Sequence, residues 1–144
     1  MSVSPTAAIG RFVSLAGLSR WRIVGIFFVI LWFLLGGIAH FALTRTEMRI
    51  VPPYIPWPRR VVLVSGVFEL LGAAGLLWGR TRRAAGIGLF LLTLAVTPVH
   101  FYMLQRPELF NVPYWALLLR LPVQAALLAL IAWIIAAPTA RSRR

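Results

Sequence analysis

Few residues in this chain can do chemistry. Two histidines, His40 and His100, and three acids, Glu47, Glu69 and Glu108, are its side chains able to exchange protons near neutral pH. Only Glu69 lies within an apolar run, VVLVSGVFELLGAAGLLW from Val61 to Trp78. A buried carboxylate must neutralise or find a partner. Inside a membrane span such a group is a functional-site hypothesis by default. At 1.5 Å of rise per residue, His40 and His100 fall ~5 Å inside the far ends of their own apolar runs. Ser65 and Gln124 enter near the same level, and Thr97 sits below His100 on one helical face. Arg120 stands above them. Glu69, His100, His40, Arg120, Gln124, Ser65 and Thr97 therefore form a candidate polar pocket in the outer half of a helical bundle. A proline-rich loop carrying Tyr54 and Trp57 covers it.

That set suits some chemistries better than others. Glu69 lies deeper than the histidines, whereas metal ligands must converge at about 2 Å from the ion, so no metal site is expected. Haem held between His40 and His100 fits less well, because the first run lacks a room-making pattern. A quinone headgroup needs an apolar slot, a few polar groups and a protonatable neighbour, which His40, His100 and Glu69 supply. No nucleophilic triad is evident. The absence of cysteine excludes disulfides, thiolate metal sites and thiol exchange. Structural readings stay open beside these. Histidines near helix ends can meet headgroups, Gln124 and Ser65 can serve helix–helix bonding, and Glu69 can pair with Arg120 or a histidine.

The elements that must position these residues are apolar helices. The 144 residues are 60% hydrophobic, with a mean hydropathy of +0.86. Spans are expected at about 23–43, 61–78, 84–104 and 121–137, each close to the roughly 20 residues needed to cross a bilayer. Pro52, Pro53, Pro56 and Pro58 forbid a regular helix in the first loop, 44–60. Pro98 kinks the third span, and Pro122 opens the fourth in its first turn. The glycines of the first two spans permit close packing. Residues 1–22 form an N-terminal segment in which Ile9, Phe12, Val13 and Ala16 have the spacing of a surface helix, with a disordered tail as the equal alternative. Residues 138–144 form a basic tail. The net charge of +12 is all arginine, clustered between apolar runs as in membrane loops, not as in a nucleic-acid-binding face. Nine arginines fall on the side of the termini and six on the other, favouring cytoplasmic termini.

A shift of sixty residues aligns Arg20 with Arg80, Arg22 with Arg82, His40-Phe41 with His100-Phe101, Pro53-Tyr54 with Pro113-Tyr114 and Arg60 with Arg120. The expected architecture is thus all-α: an integral membrane four-helix bundle of two duplicated hairpins with pseudo-two-fold symmetry about the membrane normal.

SGVFELLGAAGLL after PPYIPWP, PVHFYM closing the third span and LRLPVQ opening the fourth together resemble the DoxX-like family of small four-span bacterial membrane proteins. The resemblance covers about Gly25 to Ala137. The family's motif positions fall on Ser65, Gly66, Glu69, Pro98, His100, Arg120, Pro122 and Gln124. The resemblance implies a bacterial cytoplasmic membrane and a link to redox systems, since relatives include quinone-linked subunits of thiosulfate oxidation. Other members accompany oxidative-stress enzymes or act as assembly factors, so the label alone transfers no activity. This chain carries no soluble redox module, so electrons would come from a partner enzyme. The expected role is a membrane redox subunit with a quinone-like or small apolar ligand. The alternative is a non-catalytic assembly or anchoring partner. Lipid is the expected surrounding, no nucleic acid is expected, and homo-oligomerisation stays open.

Overall fold

The structure is a computed structural model that describes Leu15 and residues 17–136. The stretch read as either a surface helix or a disordered tail, and the basic tail, lie outside the described residues. Among the described residues, six α-helices follow in order: α1 Arg20–Ala42, α2 Thr44–Ile50, α3 Pro58–Leu77, α4 Arg82–Ala95, α5 Thr97–Gln105 and α6 Tyr114–Ile135, with a 3-10 turn at Pro107–Leu109. Helices α1, α3, α4 continued by α5, and α6 are each long and apolar enough to cross a membrane. They make an all-α four-helix bundle, and the chain reads as a multi-pass membrane protein. Phe27, Phe28, Leu31, Leu35, Leu71, Leu91 and Leu118 are exposed around its perimeter. A soluble monomer rarely presents so much apolar surface, whereas lipid solvates it.

Local chemistry sets the helix limits. Ser19 caps α1 by accepting from the Arg22 backbone N–H at 3.3 Å. At the other end the Thr44 hydroxyl donates to His40 O at 2.6 Å. Pro58 opens α3 at a position where its missing N–H costs little. Trp57 turns the chain into that helix in the left-handed region, at φ 53°. Two sequence expectations need correction, and the interruption expected at Pro98 takes a definite form. The first loop is not wholly irregular, because TRTEMRI precedes the prolines and folds as α2. The third span is two helices, broken at Val96 with Pro98 in the first turn of α5. The fourth span begins at Tyr114 and not at Leu121, so Pro122 lies inside α6. Pro113 precedes that helix in extended conformation and marks its start.

The bundle is tightest at the end that carries the termini. Ile26, Val29 and Phe33 of α1 pack with Ala73 and Leu76 of α3, Leu89 of α4, and Leu127, Ile131 and Ile134 of α6. Arginines tie off the helix ends there. Arg22 Nη2 donates to Trp133 O at 3.0 Å, and its guanidinium lies 4.9 Å from the Trp133 ring centroid. Arg82 Nε donates to Leu76 O at 3.0 Å. These two arginines are equivalent under the sixty-residue shift. One joins α1 to the end of α6, and the other joins α4 to the end of α3. The acceptors are not equivalent under that shift, since Trp133 aligns with Ala73 and not with Leu76. Removing either cap exposes C-terminal carbonyls that have no helical donor. Arg82→Ala is expected to cost about 1.5–3 kcal/mol, the range for hydrogen bonds to charged groups. Arg83→Ala, at an exposed position, should stay within about 0.5 kcal/mol. Thermal unfolding of both variants in one detergent checks the contrast.

Candidate functional site

The shared core leaves the opposite half of the bundle less filled. Helices α1 and α6 meet near the termini, where a Cβ on Gly25 would lie 3.1 Å from Leu130 Cδ1. A half-open cleft of about 430 Å³ lies further along the bundle, walled by residues of both helices. Trp32 and Phe33 of α1, Glu69 of α3, Leu92 and Thr93 of α4, Val96 at the break and His100 of α5 line it, with Ala116, Leu119, Arg120, Val123, Gln124 and Leu127 of α6. Trp32 on one rim and Leu119 and Val123 on the other are exposed. The gap between α1 and α6 therefore faces the lipid side.

The cleft reaches deeper than the sequence suggests. With α6 starting at Tyr114, Gln124 lies ten residues in, or about 15 Å along the axis. Glu69 is eleven residues into α3 and Thr93 eleven into the third span, which puts all three near mid-bundle. His100 and Arg120 stand nearer the loop end. Of the expected site residues, the cleft brings together Glu69, His100, Arg120 and Gln124.

His40 does not line the cleft but reaches its acid. His40 Nε2 is 3.4 Å from Glu69 Oε1, with side-chain exposures of 19% and 13%. The depth difference expected between them is closed by side-chain direction. Each Cα–Cβ bond tilts toward the N-terminus of its own helix. Because α1 and α3 are antiparallel, Glu69 leans toward the loop end and His40 leans away from it. Glycine makes room for this pair. A Cβ on Gly36 would sit 2.6 Å from Glu69 Oε2, and one on Gly66 would sit 2.8 Å from His40 Cβ. Gly36, which the sequence marks only as a packing residue, thus seats the carboxylate.

Gln124 is the most constrained polar group. It is 8% exposed. Its Nε2 donates to Thr93 O at 3.0 Å and to Thr97 Oγ1 at 2.6 Å. The helix breaks at Val96 and Pro98 brings no N–H of its own, so carbonyls at the α4–α5 junction, Thr93 O among them, have openings for other donors. Gln124 and the Thr97 hydroxyl, which reaches Thr93 O at 3.4 Å, supply replacements. Thr97 therefore acts behind the cleft wall. Gln124 Oε1, Glu69 Oε2, His40 Nδ1 and His100 Nδ1 are buried atoms without a hydrogen-bond partner among the described residues.

Other expected members stand apart. Ser65 is half-buried one turn from Glu69 and is not in the lining. Tyr54 and Trp57 are 70% and 66% exposed and do not cover the cleft. Trp57 instead lies beneath the Arg60 guanidinium, 5.6 Å from its ring centroid. Sequence reasoning misses Trp32 and the apolar walls of α6, since one apolar position among many carries no local signal. Among the described residues, no three of His, Asp and Glu gather at one point.

Fold and site together define a polytopic four-helix membrane protein with an acid-bearing cleft. The chain belongs to the family described as Domain of unknown function (DUF8561), whose model matches residues 29–136. No curated protein and no solved structure matches it.

Proposed function

We propose that this protein is a membrane subunit of a redox system that holds a quinone-like ligand in the α1–α6 cleft. Gln124 carries the reading: a side chain more than nine-tenths buried, lining the cleft, with Oε1 unused. Buried polar atoms are nearly always paired, and one that is not needs a purpose. Apolar walls with a few convergent polar groups suit a small amphiphile. The resemblance to the DoxX-like family supports the redox setting and the bacterial cytoplasmic membrane. The arginine distribution supports cytoplasmic termini.

A bound quinone would supply two-electron, two-proton chemistry, with electrons drawn from a partner redox enzyme. The chain's own residues bind and handle protons. Gln124 and Arg120 orient the ligand from one face of α6. Glu69 and His40 hold a proton between Oε1 and Nε2, and His100 offers a second exchangeable site across the cleft. The glycine seat at Gly36 keeps the carboxylate from swinging away.

Trp32 makes the reading testable. Titrating purified protein in detergent with decyl-benzoquinone should give saturable fluorescence quenching, and Trp32→Phe should remove most of it. Non-saturable quenching in the wild type would sink the proposal. An assembly or anchoring role would then take its place, with the polar layer serving helix packing alone. Glu69→Gln separates the two roles. Lost binding with intact assembly supports the ligand, whereas lost assembly supports the scaffold.

A further inference from the structure

The hydrogen bonds that hold Gln124 also decide what the cleft can recognise. An amide has two donors and one acceptor oxygen. Here Nε2 is committed to Thr93 O and Thr97 Oγ1. A carbonyl oxygen can only accept, so the contact with Thr93 O fixes which end of the amide is nitrogen. Gln124 therefore presents Oε1 to its remaining surroundings, and Oε1 is an acceptor only. Flipping the amide would set oxygen against the Thr93 carbonyl, acceptor to acceptor.

Glu69 adds a second acceptor. With Oε1 facing His40 Nε2, a proton shared by the pair lies between those two atoms. Glu69 Oε2, seated against Gly36, stays an acceptor whichever partner holds that proton, so the acid adds no donor at this level. One turn from Gln124 on α6, about 6 Å by helical rise, Arg120 contributes donors that serve an oxygen at the mouth of the cleft.

We infer that the mid-bundle end of the cleft selects a hydrogen-bond donor, so that a quinol binds more tightly than its quinone. This rests on the quinone reading above and specifies the redox form. A quinol hydroxyl can donate to Gln124 Oε1, while a quinone carbonyl meets the same atom acceptor to acceptor. The preference has a redox consequence. Quinone plus two electrons and two protons gives quinol, so tighter quinol binding favours reduction on the protein. Each tenfold preference raises the bound couple's midpoint potential by about 30 mV.

The test compares decyl-benzoquinone with its chemically reduced quinol by anaerobic calorimetry in detergent. Wild type should bind the quinol at least fivefold more tightly. Gln124→Leu should bring the ratio near one, while Gln124→Glu, which can donate to Thr93 O from a protonated oxygen and keep the other as acceptor, should preserve it. Circular dichroism and gel filtration establish that each variant is folded. Equal affinities in wild type, or a preference surviving in folded Gln124→Leu, would overturn the inference and leave the cleft reading standing. Binding of neither form would remove both. Should Gln124→Leu fail to fold, the wild-type ratio and Gln124→Glu decide: a ratio near one in either one counts against the inference.

Discussion

Gly66→Ile is expected to yield no folded, monodisperse protein in detergent. Helices α1 and α3 form the most extensive helix pair of the bundle, and Gly66 packs directly against α1. A Cβ there would lie 2.8 Å from His40 Cβ, 3.0 Å from Phe41 Cε2 and 3.2 Å from the Gly37 carbonyl oxygen. The facing glycine is as tightly held, since a Cβ on Gly37 would sit 2.8 Å from the Leu70 side chain and 3.1 Å from Gly66 O. Backbone lies on both sides, so rotamer changes cannot relieve the clash. Even Gly66→Ala should cost about 1–3 kcal/mol, as overpacking does in a filled interior. Gly88 is the internal control: it lies on an exposed face of α4, and a Cβ there would meet nothing within 4 Å. Gly88→Ala should leave the unfolding midpoint unchanged or raise it, by up to about 1 kcal/mol from helix propensity. Equal behaviour of Gly66→Ala and Gly88→Ala would show that the α1–α3 contact is looser than described.

His40→Leu is the second large effect. It leaves Glu69, only 13% exposed, without its partner inside the bundle. Breaking one side of a buried pair costs about 3–5 kcal/mol, because the remaining charge is uncompensated. Replacing both sides with apolar residues is often neutral or stabilising. The double variant His40→Leu/Glu69→Leu should therefore recover most of the loss while abolishing quinone binding. Chemical unfolding of the two single variants and the double one forms a complete cycle. A double variant as unstable as His40→Leu would mean that the pair acts through packing and not through charge.

The four-helix architecture is readable in the sequence because bilayer crossing is a coarse requirement. About 20 apolar residues mark a span whatever their order. Finer boundaries fail where proline is ambiguous. Pro122 and Arg120 read as a helix start, but the helix begins at Tyr114, behind Pro113. That difference of seven residues moves Gln124 from the outer edge to mid-bundle. TRTEMRI reads as loop because prolines follow it, although none lies within it. At the site, Glu69, His100, Arg120 and Gln124 are identifiable as polar residues in or beside apolar runs. The His40–Glu69 contact is not, because axial spacing ignores the opposite tilt of side chains on antiparallel helices. The seat at Gly36 and the contribution of Trp32 depend on helix rotation, which residue type does not encode.

The prolines of the spanning helices give the bundle a mechanical asymmetry. Pro98 and Pro122 both belong to the second hairpin, and their sixty-residue equivalents in the first are Ile38 and Val62. The first hairpin is locked by glycine contact and keeps an uninterrupted ladder through α1 and α3, whereas the second lacks backbone bonds in both of its helices. Helix α3, at 20 residues, is about 30 Å long, close to the hydrocarbon thickness itself. A bilayer of different thickness must tilt or bend the bundle, and bending concentrates where the ladder is already broken. That compliant hairpin supplies most of the cleft wall, so lipid thickness and the width of the cleft are mechanically linked.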